Sequence, residues 1–125
     1  MDTSEVRHGI LLIAADWHVR ALILAELQEA GYDVSAVPGL KCGLRAVLLG
    51  KTEPSLVVLV VDGDEFASPD QVKALLDVLP GIPIVLVTGA YDQAAYKPLR
   101  DRVAAFLVRP ITVGDVVVAV QNLLG

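Results

Sequence analysis

At 125 residues the chain is long enough for one domain with a continuous core and too short for two. An apolar fraction of 54% and a mean hydropathy of +0.60 exclude a disordered chain, while no apolar run approaches the ~18–20 residues of a bilayer span. Ten basic against fifteen acidic residues leave a net charge of −5, the wrong balance for gripping nucleic acid.

The single cysteine, Cys42, rules out an internal disulfide and a multi-cysteine metal site, as befits a reducing, cytoplasmic setting. Residues 1–8 are polar with mixed charge and read as neither a secretory signal nor a transit sequence.

In chain order, the first element is the apolar run Ile10–Ala15, short and uninterrupted, as a strand buried on both faces should be. A helix follows, its stripe formed by Val19, Leu22, Ile23, Leu27 and Ala30 and its stop by Gly31. Tyr32–Val37 alternates apolar and polar residues like an edge strand. Leu40, Leu44, Val47 and Leu48 form a second helical stripe ended by Gly50, and Cys42 within it is expected to be buried or half-buried.

Leu56–Val61 is the second fully apolar run. Ser68 as cap, Pro69 in the first turn and Gln71 three residues after Ser68 announce a third helix carrying Val72, Leu75, Leu76 and Leu79. Ile82–Val87 and Ala104–Val108 are further strands. Between them a helix is expected within Tyr91–Arg102, broken or displaced by Pro98. Val116–Val120 has the propensity of a strand, yet Thr112 and Asp115 stand at cap spacing and Val113, Val116, Val117, Val120 and Leu124 recur at helical spacing, so the last element is a helix.

Five alternating strand–helix units predict a single α/β domain over 1–125, a three-layer doubly wound (βα)5 fold with a parallel five-stranded sheet of order 2-1-3-4-5. Functional groups in such a fold gather at the carboxyl ends of the strands, near the switch point between the first and third. That directs attention to Ala14, Ala15, Asp16, Val60 to Glu65, Thr88 and Arg109.

Five fragments in order carry a resemblance to a known family. They are Ile10 to Arg20, Ala30-Gly31-Tyr32-Asp33-Val34, Pro54 to Leu59, Pro83 to Thr88, and Ala105-Phe106-Leu107-Val108-Arg109-Pro110. Together, over nearly the whole chain, they resemble the receiver domain of two-component response regulators. The resemblance implies a magnesium-assisted phosphoryl transfer from a histidine kinase to an aspartate, with hard oxygen ligands holding the cation. It places the acidic pair on Ala14 and Ala15, the phosphoacceptor on Val60 and the phosphoryl-contacting lysine on Arg109. Switch-like Thr88 and Phe106 are kept, and the Arg109-Pro110 bond is expected to be cis. Asp16 keeps a carboxylate where the family often has a further acid.

Alanine and valine supply neither ligand nor nucleophile. The first reading is therefore a pseudo-receiver: non-catalytic, independent of phosphorylation, without a metal or other cofactor, and acting through protein partners such as a histidine kinase or another signalling protein. The alternative is a divergent receiver that accepts a phosphoryl group on Asp62, with a weak Mg²⁺ site from Asp16, Asp62 and Asp64. Asp62 would share the direction of Val60 but lie about 6.5 Å further out at ~3.3 Å per residue. Asp16, Asp62, Asp64 and Glu65 are expected to form an acidic rim. Arg109 is expected to pair with Asp16, Asp62 or a solvent anion, and Thr88 to bond local backbone.

Trp17 either caps the altered pocket or contacts a partner. Lys97, Arg100 and Arg102 cluster near the fourth helix opposite acids such as Asp101 and Asp115, a solvated face or, as the resemblance implies, a homodimer surface of helix 4, strand 5 and helix 5. His8 and His18 read as solvated. No membrane or nucleic-acid partner is expected. The turn Ala15-Asp16-Trp17-His18 lacks the hydroxyl-rich loop of a flavin site, no G-x-G-x-x-G follows a strand, and no Ser/His/Asp or Cys/His set suggests a hydrolase. The length fits both a stand-alone domain and a piece of a larger protein.

Overall fold

The computed structural model describes residues 9–124; His8 lies outside them. Five strands, β1 (Gly9–Ala14), β2 (Asp33–Val37), β3 (Leu56–Val60), β4 (Ile84–Thr88) and β5 (Ala105–Val108), form one parallel sheet of order β2-β1-β3-β4-β5. The helices are α1 (Trp17–Glu29), α2 (Leu40–Leu48), α3 (Pro69–Val78), α4 (Gln93–Tyr96) and α5 (Val113–Leu124). This is the expected doubly wound architecture, strand order included.

The central strands β1, β3 and β4 are almost wholly aliphatic because both faces of the sheet are covered. Leu11, Ile13, Val57, Leu59 and Leu86 pack toward α2, α3 and α4. Ile10, Leu12, Ala14, Val58, Val60 and Val87 pack toward α1 and α5. Fully burying one such Leu, Ile or Val is worth about 1.5–3 kcal/mol before the entropy of ordering. The edge strand β2 keeps the expected alternation of half-buried and exposed residues.

Local signals act as the sequence suggests at α3 and α5. Ser68 accepts from the Gln71 N–H, and Thr112 and Asp115 close a reciprocal box: the Asp115 N–H donates to Thr112 Oγ1 at 3.1 Å, and the Thr112 N–H to Asp115 Oδ2 at 2.8 Å. That box fixes the strand-prone valines as helix. Pro98 limits α4 to one turn, and the chain continues as a 3-10 helix over Lys97–Arg102. Buried Tyr96 anchors this segment by donating its hydroxyl to the Ala67 carbonyl.

The sequence expectations for α1, α2 and Cys42 are corrected. The inward side of α1 is Val19, Ile23, Leu24 and Leu27, while Leu22 and Ala30 are exposed. The inward side of α2 is Leu40, Gly43, Leu44 and Val47, which leaves Leu48 and also Cys42 exposed, against the expected burial. Cys42 follows Leu40 by two residues, about 200° around the helix, and so faces away from the sheet. Arg102 pairs with Asp77 of α3 at 2.8 Å, and neither Asp101 nor Asp115 is its partner; Asp115 is committed to its own helix start.

Candidate functional site

The carboxyl edge of the sheet carries a row of apolar side chains in register. Ala14 of β1 is paired with Val60 of β3, Val60 with Val87 of β4, and Val87 with Leu107 of β5. Ala14, Val60 and Val87 are all buried. The chain thus brings together the positions singled out at the switch point, and none of Ala14, Ala15 and Val60 offers a side-chain oxygen.

Several polar groups around this row are committed to the protein. Arg20, one turn into α1, points back over the end of β1 and donates from Nη1 to the Ala14 carbonyl at 2.9 Å and the Ala15 carbonyl at 3.3 Å. Asp16 caps α1, accepting from the His18 N–H at 2.8 Å and the Val19 N–H at 3.3 Å. Those bonds, Val19's first and His18's second, hold its carboxyl below the ordinary 3.8.

Asp62 lies past the end of β3 and leans over β4 toward β5. Its Oδ2 accepts from Arg109 Nη1 at 3.1 Å, and a Cβ on Gly89 would sit 3.1 Å from its Oδ1. Of the three partners expected for Arg109, Asp62 is the one that meets it. Asp64 points the other way: the Leu40 N–H donates to its Oδ2 at 2.7 Å and the Phe66 N–H to its Oδ1 at 3.1 Å. Asp16, Asp62 and Asp64 are not gathered into one site, and among the described residues no three of His, Cys, Asp or Glu form a metal-holding group. Glu65 is exposed.

Thr88 is buried at the end of β4 and its hydroxyl donates to the Gly89 carbonyl at 3.4 Å. Phe106 is half-buried, with the Arg100 guanidinium 5.5 Å from its ring centre. Lys97, Arg100 and Arg102 are exposed along the 3-10 helix. Trp17 is 69% exposed and turned to solvent, its ring edge-on to His18, and it does not line the cavity beside Val60. The Arg109-Pro110 peptide is cis.

Sequence reasoning named Arg20 and Asp64 but not the contacts they make. Arg20 was legible as an arginine four residues beyond the Asp16 cap, a spacing that returns a long side chain to the helix start. The role of Asp64 was signalled by Gly39: a helix whose cap position has no side chain needs an acceptor from elsewhere for its first N–H groups.

A parallel β2-β1-β3-β4-β5 sheet covered by helices on both faces is the doubly wound fold that response regulator receiver domains share with flavodoxins. Solved structures bear this out. The chain superposes on a response regulator receiver domain protein from Clostridium thermocellum with a TM-score of 0.77 at 20% identity, covering 91% of each chain. It matches a CheY-like response regulator receiver domain protein from Methanospirillum hungatei with a TM-score of 0.77 at 17% identity, over 95% of this chain and 94% of that one. An adenylate cyclase from Rhodopirellula baltica gives 0.80 at 16%, over 94% and 87%. No family model matches the sequence, and no curated protein does.

Proposed function

We propose that this chain is a receiver-type signalling module that works by protein contact and not by phosphoryl transfer. One observation carries the reading: Ala14, Ala15 and Val60 stand at the carboxyl ends of adjacent strands where phosphoryl chemistry needs carboxylates, and they bring only methyl groups. Magnesium requires near-octahedral oxygen ligation at about 2.0–2.1 Å. The residues present do not fit it, because the row has no side-chain oxygen and the Ala14 and Ala15 carbonyls already receive the Arg20 guanidinium.

The switch positions are held by packing in this reading: Thr88 by its strand-end bond and burial, Phe106 beneath Arg100. Contact with a histidine kinase or another signalling protein falls to exposed surfaces. These are Trp17 beside the altered pocket and the Lys97, Arg100 and Arg102 face next to β5, which also serves as the candidate homodimer surface.

Incubation with acetyl phosphate and magnesium followed by intact mass tests the reading. The expected result is an unmodified chain. Addition of one phosphoryl group, abolished by Asp62→Asn, would overturn it in favour of a divergent receiver that uses Asp62.

A further inference from the structure

The loss of oxygen at Val60 has a second effect. Between the first turns of α1 and α5, above the ends of β3 and β4, lies a partly open cavity of about 330 Å³. Its floor is Val60 and Val87, and its walls include Ile23 and Val116, all four buried. The polar side chains that line it are those of His18, Arg109 and Thr112. Apolar walls with a few convergent polar groups, in a volume of roughly 300–1,000 Å³, are the usual make-up of a small-molecule site.

We infer that this cavity binds a neutral small molecule with an aromatic or branched-aliphatic body and one carbonyl-type acceptor. The inference rests on the reading above, since a carboxylate at position 60 would make the floor polar. The body is limited to about a dozen non-hydrogen atoms if each takes roughly the 30 Å³ of a liquid water.

The head is specified by the donors. Arg109 has five N–H groups and commits Nη1 to Asp62. The Thr112 hydroxyl oxygen receives the Asp115 N–H and keeps its own O–H to give. A carbonyl oxygen suits this set. A carboxylate suits it poorly, because Asp62 already balances the charge of Arg109 and Asp16 and Asp115 stand at the starts of the flanking helices. A cationic head would face the guanidinium.

Amide NMR titration of the full chain with acetophenone, alongside ethylbenzene, benzoate and benzylammonium, decides the matter. Acetophenone is expected to shift the Val60, Val87 and Val116 amides saturably, with ethylbenzene about fivefold weaker, the worth of one net hydrogen bond, and both ions weaker than acetophenone because of their charge. Val60→Phe, which fills the floor, should abolish the shifts. Val113→Phe at the rim should do the same and serves if the floor variant fails to fold.

Shifts that never saturate, shifts that persist in the filled variants, or tighter binding of benzoate than of acetophenone would overturn the inference. A chain that accepts a phosphoryl group defeats the functional reading. A chain that stays unmodified and binds no acetophenone defeats this inference alone.

Discussion

Arg109 and Asp62 meet at 3.1 Å across the end of β4, each more than a third exposed. The contact joins the residue after β5 to the loop after β3 and occupies the carboxylate that stands just past the end of β3. Partly exposed pairs of this kind contribute about 0–1 kcal/mol. Asp62→Asn is therefore expected to change the urea unfolding free energy by less than about 1 kcal/mol. A loss well above that would mean that the pair organises the loops after β3 and β5 and does more than neutralise charge.

Asp64 reaches 24 residues back along the chain to cap α2, accepting the Leu40 N–H at 2.7 Å while also receiving the Phe66 N–H. The contact depends on Gly39, whose φ of +143° lies in the region open to glycine and whose Cβ, were there one, would be 3.3 Å from Asp64 Oδ2. Removing a capping side chain costs ~1 kcal/mol, and the lost turn bond to Phe66 adds to it, so Asp64→Ala is expected to destabilise the protein by about 1–2 kcal/mol. Hydrogen exchange should quicken at the first turn of α2. Unchanged protection at Leu40 would refute the role.

The fold was legible because every strand covered on both faces must be aliphatic, and few other sequence arrangements give four short runs such as Ile10–Ala15 and Leu56–Val61 spaced by helical periods. The end of the chain was legible for a different reason: the Thr112–Asp115 box outweighed the β-propensity of its valines. The inward side of α1 was legible in part, at Val19, Ile23 and Leu27, but apolar residues surround that helix and periodicity cannot choose between Leu22 and Leu24.

At the site, the apolar side chains of Ala14, Ala15 and Val60 and their place at the strand ends could be read from the strand pattern. The Asp62–Arg109 pair could be read only as one of three choices, and the contacts of Arg20 and Asp64 were not assigned, since each depends on how a loop or helix seats against the strand ends. The cavity beside Val60 arises in the same way, from the gap between two helix starts that are distant in sequence.

Gly43 marks where α2 comes closest to the sheet. A Cβ there would lie 2.5 Å from Ile13 Cδ1 and 2.9 Å from Cγ1, and Ile13 is fully buried. Overpacking of a filled core costs about 1–3 kcal/mol, against roughly 1 kcal/mol gained in helix propensity by replacing glycine with alanine. The clash is severe enough to sit at the upper end, so Gly43→Ala is expected to lose about 2 kcal/mol in denaturant unfolding. A neutral or stabilising result would show that α2 stands further from β1.

Asp16 gives the fold a defined response to acid. Its carboxylate receives the Val19 and His18 N–H groups, and those bonds hold its folded pKa below the ordinary 3.8. A depressed folded value means that the contribution is complete above the unfolded pKa and is lost as pH falls through the folded one. Asp77, held low first by its bond from Arg102, loses its contribution in the same acid range, so a global unfolding curve would merge the two. The amides of His18 and Val19 separate them. Their chemical shifts are expected to titrate with a midpoint below 3.8, as the carboxylate that accepts their protons is neutralised. Asp16→Asn keeps an acceptor at the cap and should remove that titration while leaving the first turn of α1 formed. Asp16→Ala should remove the titration and also speed exchange at both amides. A midpoint at or above 3.8 in the unaltered chain would show that the cap is not made in solution.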